Sequence, residues 1–402
     1  MTYIEHARPM RSSNRGIGLV ELMVGMVIAL AAMIVIMQVF AQSESQKRSS
    51  NYGADAQTNG AVALYTIERD ARLAGFGLSS APLLNCPAIT IWRQSTLTAQ
   101  QLRFAPFEVN PPAVSVLPGD ANTDVVAIAF GVSDTTVEGV GASQVLNAAA
   151  NIVVANRAGF NTGDLVVGAQ SVGAAGMQCT MHEITNVPGG QCGDPPSGAA
   201  TELVHGTGNY KNYGKGCLPF AAEYNRAGGI PGVAALVKPT SNVANLFNLG
   251  AMPVNLAYAI RSNNLTVCDR VLSDCTQAAN FMEIASDIVS LRAVYGKDTT
   301  VPPDGTVDVW DRVTPASDAQ WLQVAAARIE IVARSAIKER ADAAGSCDHL
   351  TPNRTMPDNQ TWLGQGVAGA GIDISGTDPE WQCYRYKLFQ TVVPFRNLIW
   401  RP

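Results

Sequence analysis

From Leu22 to Met37 the chain carries no polar side chain, and extending the run to Ile17 and Ala41 admits only Glu21 and Gln38. A helix of that length crosses the roughly 30 Å hydrocarbon core of a bilayer with all its backbone groups satisfied. Arg8, Arg11 and Arg15 precede the run. The positive-inside rule therefore puts the N-terminus in the cytoplasm and everything after about Ala41 on the far side. An ordinary secretory signal has a shorter apolar core followed by small residues for cleavage. Here the run passes directly into a polar, helix-like stretch, so the apolar segment is expected to stay on the chain.

After Ala41 the composition turns polar, from Gln42 to Arg48, yet no proline appears until Pro82. Leu64, Ile67, Ala71 and Ala74 recur at helical spacing, and Glu68 stands four residues before Arg72 on another face. Gly53 and Gly60 weaken the stretch between, while Gly75 and Gly77 supply a stop. The pattern predicts one helix with a soft middle, ending near Ala74. About fifty helical residues reach roughly 75 Å, and the apolar half must find its partners in lipid or in other subunits.

Beyond Pro82, the 47% apolar content of the 402-residue chain is enough for a large core, while 36 glycines, 22 prolines and only 15% charged residues indicate many turns. Strands are expected at Asp124–Phe130, Asp164–Ala169, Leu256–Arg261, Ile288–Tyr295, Thr306–Trp310, Val324–Ser335 and Tyr384–Val393. The alanines that open Val324–Ser335 favour helix, so only its second half reads firmly as strand. Without regular β-helix-β alternation the class is α+β with antiparallel sheet. A net charge of −5 offers no chain-wide basic surface, so direct nucleic-acid binding is not expected.

All eight cysteines, Cys86, Cys179, Cys192, Cys217, Cys268, Cys275, Cys347 and Cys383, follow the apolar run. They therefore share one compartment, and an oxidising one accounts for the even count through disulfides. No CxxC occurs, and His6, His182, His205 and His349 are scattered, which argues against zinc. Cys268 and Cys275 are close enough to clip a small loop worth about 2.5 kcal/mol. Cys179 with Cys192 is the next local pair, leaving Cys347 with Cys383 and Cys86 with Cys217, although spacing alone leaves many connectivities open.

The stretch Arg15-Gly16-Ile17-Gly18-Leu19-Val20-Glu21 resembles the leader of type IV prepilins, which a dedicated membrane peptidase cuts after the glycine. The resemblance implies cleavage between Gly16 and Ile17, N-methylation of Ile17, and retention of the apolar helix as filament core. Cutting there exposes an α-amino group with an ordinary pKa of about 7.7–8.0, for which Glu21 is the natural counter-ion. A carboxylate in an apolar span is expensive unless paired. Either Met1 or Met10 can open the leader; a start at Met10 gives Met10–Gly16, closer to the short leaders of such proteins. Residues 1–16 hold three arginines and one glutamate, so their removal takes the net charge from −5 to −7.

Further along stand Glu68-Arg69-Asp70-Ala71-Arg72-Leu73-Ala74-Gly75, Asp124-Val125-Val126, Gly163-Asp164-Leu165-Val166, Tyr258-Ala259-Ile260-Arg261, Tyr295-Gly296-Lys297-Asp298 and Val393-Pro394-Phe395-Arg396-Asn397. This set resembles the PilW family of minor pilins. The resemblance implies a pilin-like α+β fold: a long N-terminal helix, membrane-spanning in its first half, packed on a mainly antiparallel head with long loop insertions around 131–160, 185–250 and 340–375. The expected organisation is a cleaved cytoplasmic leader at 1–16, a membrane or filament-core helix at 17–41, its amphipathic continuation at 42–75, and a periplasmic head at 76–402. It also implies a place near the tip of a type IV pilus, priming assembly and so serving motility, adhesion or DNA uptake. Partners would be other minor pilins and the major pilin through the helix, the prepilin peptidase, the inner-membrane assembly platform and a tip adhesin. The chain would wait in the inner membrane, head in the periplasm, before joining the extracellular pilus.

In relatives the loop after Tyr295 is often a compact Asp-rich turn resembling a calcium site. Here Asp298, Asp304 and Asp308 are the candidate ligands, but Thr300, Pro302 and Pro303 break the alternating oxygen pattern and Asp304-Gly305 favours a hairpin. No other cofactor is expected. Two other readings stand beside this one: a type II secretion pseudopilin, which shares leader and helix, and a membrane-tethered periplasmic enzyme or binding protein. No GxSxG, HExxH, Walker or Rossmann pattern appears, and no enzyme is expected. Trp362 and Trp381, if exposed, would offer an aromatic surface to a partner.

Overall fold

Proline is absent between Pro9 and Pro82, and helix α1 runs unbroken from Leu19 to Leu73, 55 residues. The computed structural model describes residues 18–78, 80–133, 139–144, 151–171, 177–193, 201–233, 244–355, 361–364 and 366–399. The chain divides into two units, Met1–Tyr52 and Gly53–Pro402. In the first, every large apolar side chain from Leu19 to Phe40 is between 51% and 77% exposed. The expected soft middle does not interrupt the helix, though Gly53 is the first residue of the second unit.

In the second unit one face of α1 is buried through Ala56, Gly60, Ala63, Ile67, Ala71 and Ala74, at steps of three and four. Most of these residues are small, so the helix backbone lies close to what it covers. A Cβ added at Gly60 would sit 2.1 Å from the Phe389 ring. Gly60 is therefore a close-approach residue and not a flexible joint. The apolar members of this face share one core with Phe107, Val126, Ile128 and Ile260 of a five-stranded sheet and with Leu291, Tyr295, Ile329 and Ile331 of a four-stranded sheet. Asp70, also buried, accepts a hydrogen bond from the Tyr258 hydroxyl and another from Arg69 at 2.8 Å. Glu68 and Arg72 form the expected ion pair on the outer face.

Two glycines end the helix by turning the chain through left-handed conformations, Gly75 at φ 79° and Gly77 at φ 68°. The Asn397 side-chain amide donates to the carbonyls of Leu73 and Ala74, both at 3.2 Å. A helix end leaves such carbonyls without intrahelical partners; that of Leu73 also accepts from the Phe76 amide at 3.1 Å.

The five-stranded sheet orders Met282–Ala285, Asn264–Asp269, Val254–Arg261, Val126–Phe130 and Phe107–Val109. The four-stranded sheet orders Val309–Asp311, Ile288–Lys297, Val324–Arg334 and Tyr386–Pro394. Both are antiparallel throughout. Val324–Arg334 is strand over its whole length despite its alanines, because it is central and pairs on both edges. Tertiary pairing overrides local propensity here. An eight-stranded sheet orders Thr98–Leu102, Ile89–Arg93, Met177–Glu183, Leu165–Ser171, Ala244–Gly250, Val140–Gln144, Asn151–Val154 and Glu202–Val204. Its one parallel contact joins Ile89–Arg93 to Met177–Glu183. Strands thus occupy parts of 131–160 and 185–250, which the sequence reads as loop insertions. Asn209–Asn212 and Leu218–Ala221 form a separate hairpin, and 340–375 has no strand among its described residues.

Four disulfides join Cys86 to Cys179, Cys192 to Cys217, Cys268 to Cys275 and Cys347 to Cys383, with Cα separations from 4.9 to 5.9 Å. The expected pairs Cys179–Cys192 and Cys86–Cys217 are therefore corrected. The parallel register sets Cys179 opposite Ile89, three residues after Cys86. Cys192 instead meets Cys217, just after the short 3₁₀ turn Tyr213–Lys215. Sheet register, which spacing along the chain does not reveal, chooses the partner.

Alanine at position 60 should favour the helix by about 1 kcal/mol, yet overpacking against Phe389 costs about 1–3 kcal/mol. Gly60→Ala is expected to lower the Tm of the detergent-solubilised full chain, and adding Phe389→Leu to restore it. A higher Tm for the single variant would contradict the close approach.

Candidate functional site

Glu21 lies in the first turn of α1 and is exposed. It is the one charged residue between Leu19 and Phe40. The segment Leu19–Glu44, 26 residues, is long and apolar enough to cross a membrane and is wholly unburied. At about 1.5 Å per residue it exceeds the roughly 30 Å hydrocarbon core. Placed in lipid, Glu21 sits at one end of the span and needs a cation. Gly16 and Ile17 lie outside the described residues.

The aspartates proposed for calcium are committed to their own loop. Asp298 accepts from the Thr300 hydroxyl at 2.7 Å, from the Thr300 amide at 3.2 Å and from the Gly305 amide at 2.7 Å, which holds its carboxyl below the ordinary value. Asp304 accepts from the Thr306 amide at 2.7 Å, and Asp308 from the amide and hydroxyl of Thr299 at 2.7 and 3.0 Å. Among the described residues, the one trio of His, Cys, Asp or Glu whose ligand atoms lie within 4.8 Å of one another is elsewhere: Asp342, Asp348 and His349, all exposed. Asp342 already accepts backbone amides from Ala344 and Ser346. Trp362 is buried, donates to the Ala370 carbonyl at 2.9 Å, and joins Ile372, Ile374, Tyr386 and the half-buried Trp381 in a core cluster. Trp362 therefore offers no exposed aromatic surface, and Trp381 is only partly exposed.

The motif residues along the head act as ties. Asp124 accepts from the Ala293 amide at 3.0 Å, from Asn110 at 3.0 Å, and from Arg292 and Arg312. Tyr295 accepts from the Val109 amide at 2.7 Å, and burial pushes its phenol well up. Gly296 leaves room for Trp310, whose ring would lie 2.7 Å from a Cβ there. Asp164 accepts from the Asn161 amide and from Asn248, at 2.9 and 2.8 Å. Asp124 and Tyr295 join one sheet to another, Asp164 holds its neighbouring loop, and Gly296 admits a ring from the adjacent strand of its own sheet.

Several buried titratable groups escape sequence reading. Arg270 donates to Glu108 and Asn255 at 3.3 and 3.2 Å, all three buried. Glu330 is fully buried, and burial raises its carboxyl well above the ordinary value. His182 and His205 stack with ring centroids 4.6 Å apart, both buried. His182 bonds Thr180 at 2.7 Å, while neither nitrogen of His205 has a hydrogen-bond partner among the described residues. Alternation along Met177–Glu183 places His182 and Thr180 on one face. The loop position of His205 gives no such signal.

The architecture is an N-terminal apolar helix followed by mainly antiparallel sheets, an α+β arrangement. Residues 257–397 match the family described as type IV pilus-assembly protein W, in agreement with the resemblance carried by the motifs. A solved type IV-like pilin from Thermus thermophilus is similar over 36% of this chain and 68% of its own, at 14% identity and a TM-score of 0.22. No curated protein matches the chain. The family match, which covers 257–397 of the 402 residues, supports a type IV pilus-related pilin. Among the described residues the one helix long and apolar enough to cross a membrane is consistent with a single-pass anchor.

Burial lowers His205 from 6.5 to about 4, and burial together with His205 lowers His182. The unfolded chain then binds more protons between these values, so stability is full above about pH 6.5 and falls on acidification toward 4. The loss through His205 is on the order of 3 kcal/mol. Urea unfolding of the full chain in detergent should be steeper in pH over that window for the parent than for His205→Gln. Equal slopes would count against the pair.

Proposed function

We propose that the chain is a minor pilin of a type IV pilus. The observation that carries this reading is the exposed apolar span with one carboxylate in its first turn, on a chain whose head matches the pilus-assembly family over 257–397. A membrane peptidase cuts between Gly16 and Ile17, and the Ile17 amine is methylated. The chain waits in the inner membrane with its head in the periplasm. As the helix leaves lipid for the filament core, Glu21 neutralises the terminal amine of a neighbouring subunit, so that neither charge is left unpaired among apolar side chains.

The subunit joins other minor pilins near the tip, on the inner-membrane assembly platform, and primes growth of the major pilin. Motility, adhesion or DNA uptake follow from the pilus. On this reading the chain's role is structural, and its motif residues Asp124, Tyr295 and Asp164 serve as ties within the head.

Mass spectrometry of the mature protein should find an N-terminus at Ile17 carrying a methyl group; a chain beginning at Met1 or Met10 would overturn the processing. Glu21→Leu should still insert in the membrane but be lost from sheared filaments. Normal incorporation would sink the role given to Glu21.

A further inference from the structure

A cleft of about 350 Å³ opens on the head between the loop Arg157–Thr162, the turn Val187–Gln191 and Tyr213. That volume is at the small end of ligand pockets, which run to about 1,000 Å³, so its occupant is small.

Arg157 lies in its wall. Among the described residues its side chain makes no ion pair and no hydrogen bond, and its Nη1 is buried without a partner. The guanidinium lies beside Gly189, whose missing side chain would place a Cβ 4.0 Å from Nη2 and whose φ of 73° suits glycine. A planar fork of donors without an acceptor is matched by a carboxylate. The nearby Asp164 is not that acceptor, being bonded to Asn161 and Asn248.

The other walls are held in place before any ligand arrives. Cys192, next to Gln191, is bonded to Cys217, which follows the turn Tyr213–Lys215. Asn212 caps that turn by accepting from the Lys215 amide at 3.1 Å. Tyr213 is 40% exposed and offers an apolar ring face with a hydroxyl tip. Asn161, Thr162 and Gln191 also line the cleft, which suits a polar body better than an acyl chain. Arg157 is the one cation among the lining residues, whereas phosphate sites gather several donors.

We propose that this cleft binds a sugar acid, its carboxylate on Arg157 and one face of its ring against Tyr213. The full chain in detergent micelles should be titrated by calorimetry with glucuronate, galacturonate, glucose and inorganic phosphate. The uronates should bind, and glucose should bind at least tenfold more weakly. Arg157→Gln should weaken uronate binding at least tenfold, and Tyr213→Ala several-fold. Since Arg157 has no partner among the described residues, the Gln variant should keep the parent Tm; if it does not, Arg157→Lys, which keeps the charge and loses the fork, should bind with intermediate affinity. The proposal is overturned if the parent binds no uronate, if glucose binds equally, if neither Arg157 variant weakens binding, or if phosphate binds as tightly as the uronates.

Discussion

The head is closed by a contact between chain segments 324 residues apart: the Asn397 amide on the carbonyls that end α1. A helix end leaves four carbonyls without intrahelical partners, and the Leu73 carbonyl also accepts from the Phe76 amide at 3.1 Å. Asn397 meets the carbonyls of Leu73 and Ala74, while Leu398 packs over Gly75, within 3.1 Å of where a Cβ would stand. Two residues before Asn397, Phe395 is buried against Phe107 with ring centroids 5.3 Å apart. The last strand, Tyr386–Pro394, leads directly into this clamp. The helix end, the four-stranded sheet and the edge of the five-stranded sheet are therefore fixed together in one place.

Buried polar groups carry the remaining specificity. Asp124 gathers Arg292, Arg312, Asn110 and a backbone amide, and Arg270 gathers Glu108, Asn255 and Ser115. Such clusters stabilise little relative to apolar packing, yet removing one member strands the others without solvent. They fix register where apolar surfaces alone would allow slippage.

The apolar run, the helix end near Gly75 and the central strands were all legible, because each rests on local chemistry: hydropathy, glycine at a stop, alternation along a strand. Leu256–Arg261 was read within two residues of the observed Val254–Arg261. What stayed hidden depends on distant partners. By local chemistry Gly60 is a weak point in the helix, but Phe389 lies against it; the alanines of Val324–Arg334 favour helix, but strands pair on both edges. The buried histidines and the cleft around Arg157 are assembled from segments far apart in sequence, and no motif announces them. Asp298, Asp304 and Asp308 are recognisable in sequence as one Asp-rich loop, whereas the amides their oxygens accept from are visible only in the structure.

The bridges follow one another along the chain without nesting or crossing: 86 with 179, 192 with 217, 268 with 275, 347 with 383. Each cysteine is bonded to its immediate neighbour in cysteine order. For a chain delivered across a membrane from its N-terminal side, every pair is complete the moment its second thiol emerges, with no earlier thiol still waiting. Oxidation in strict order of emergence then yields the native connectivity directly, and a disulfide isomerase has nothing to correct.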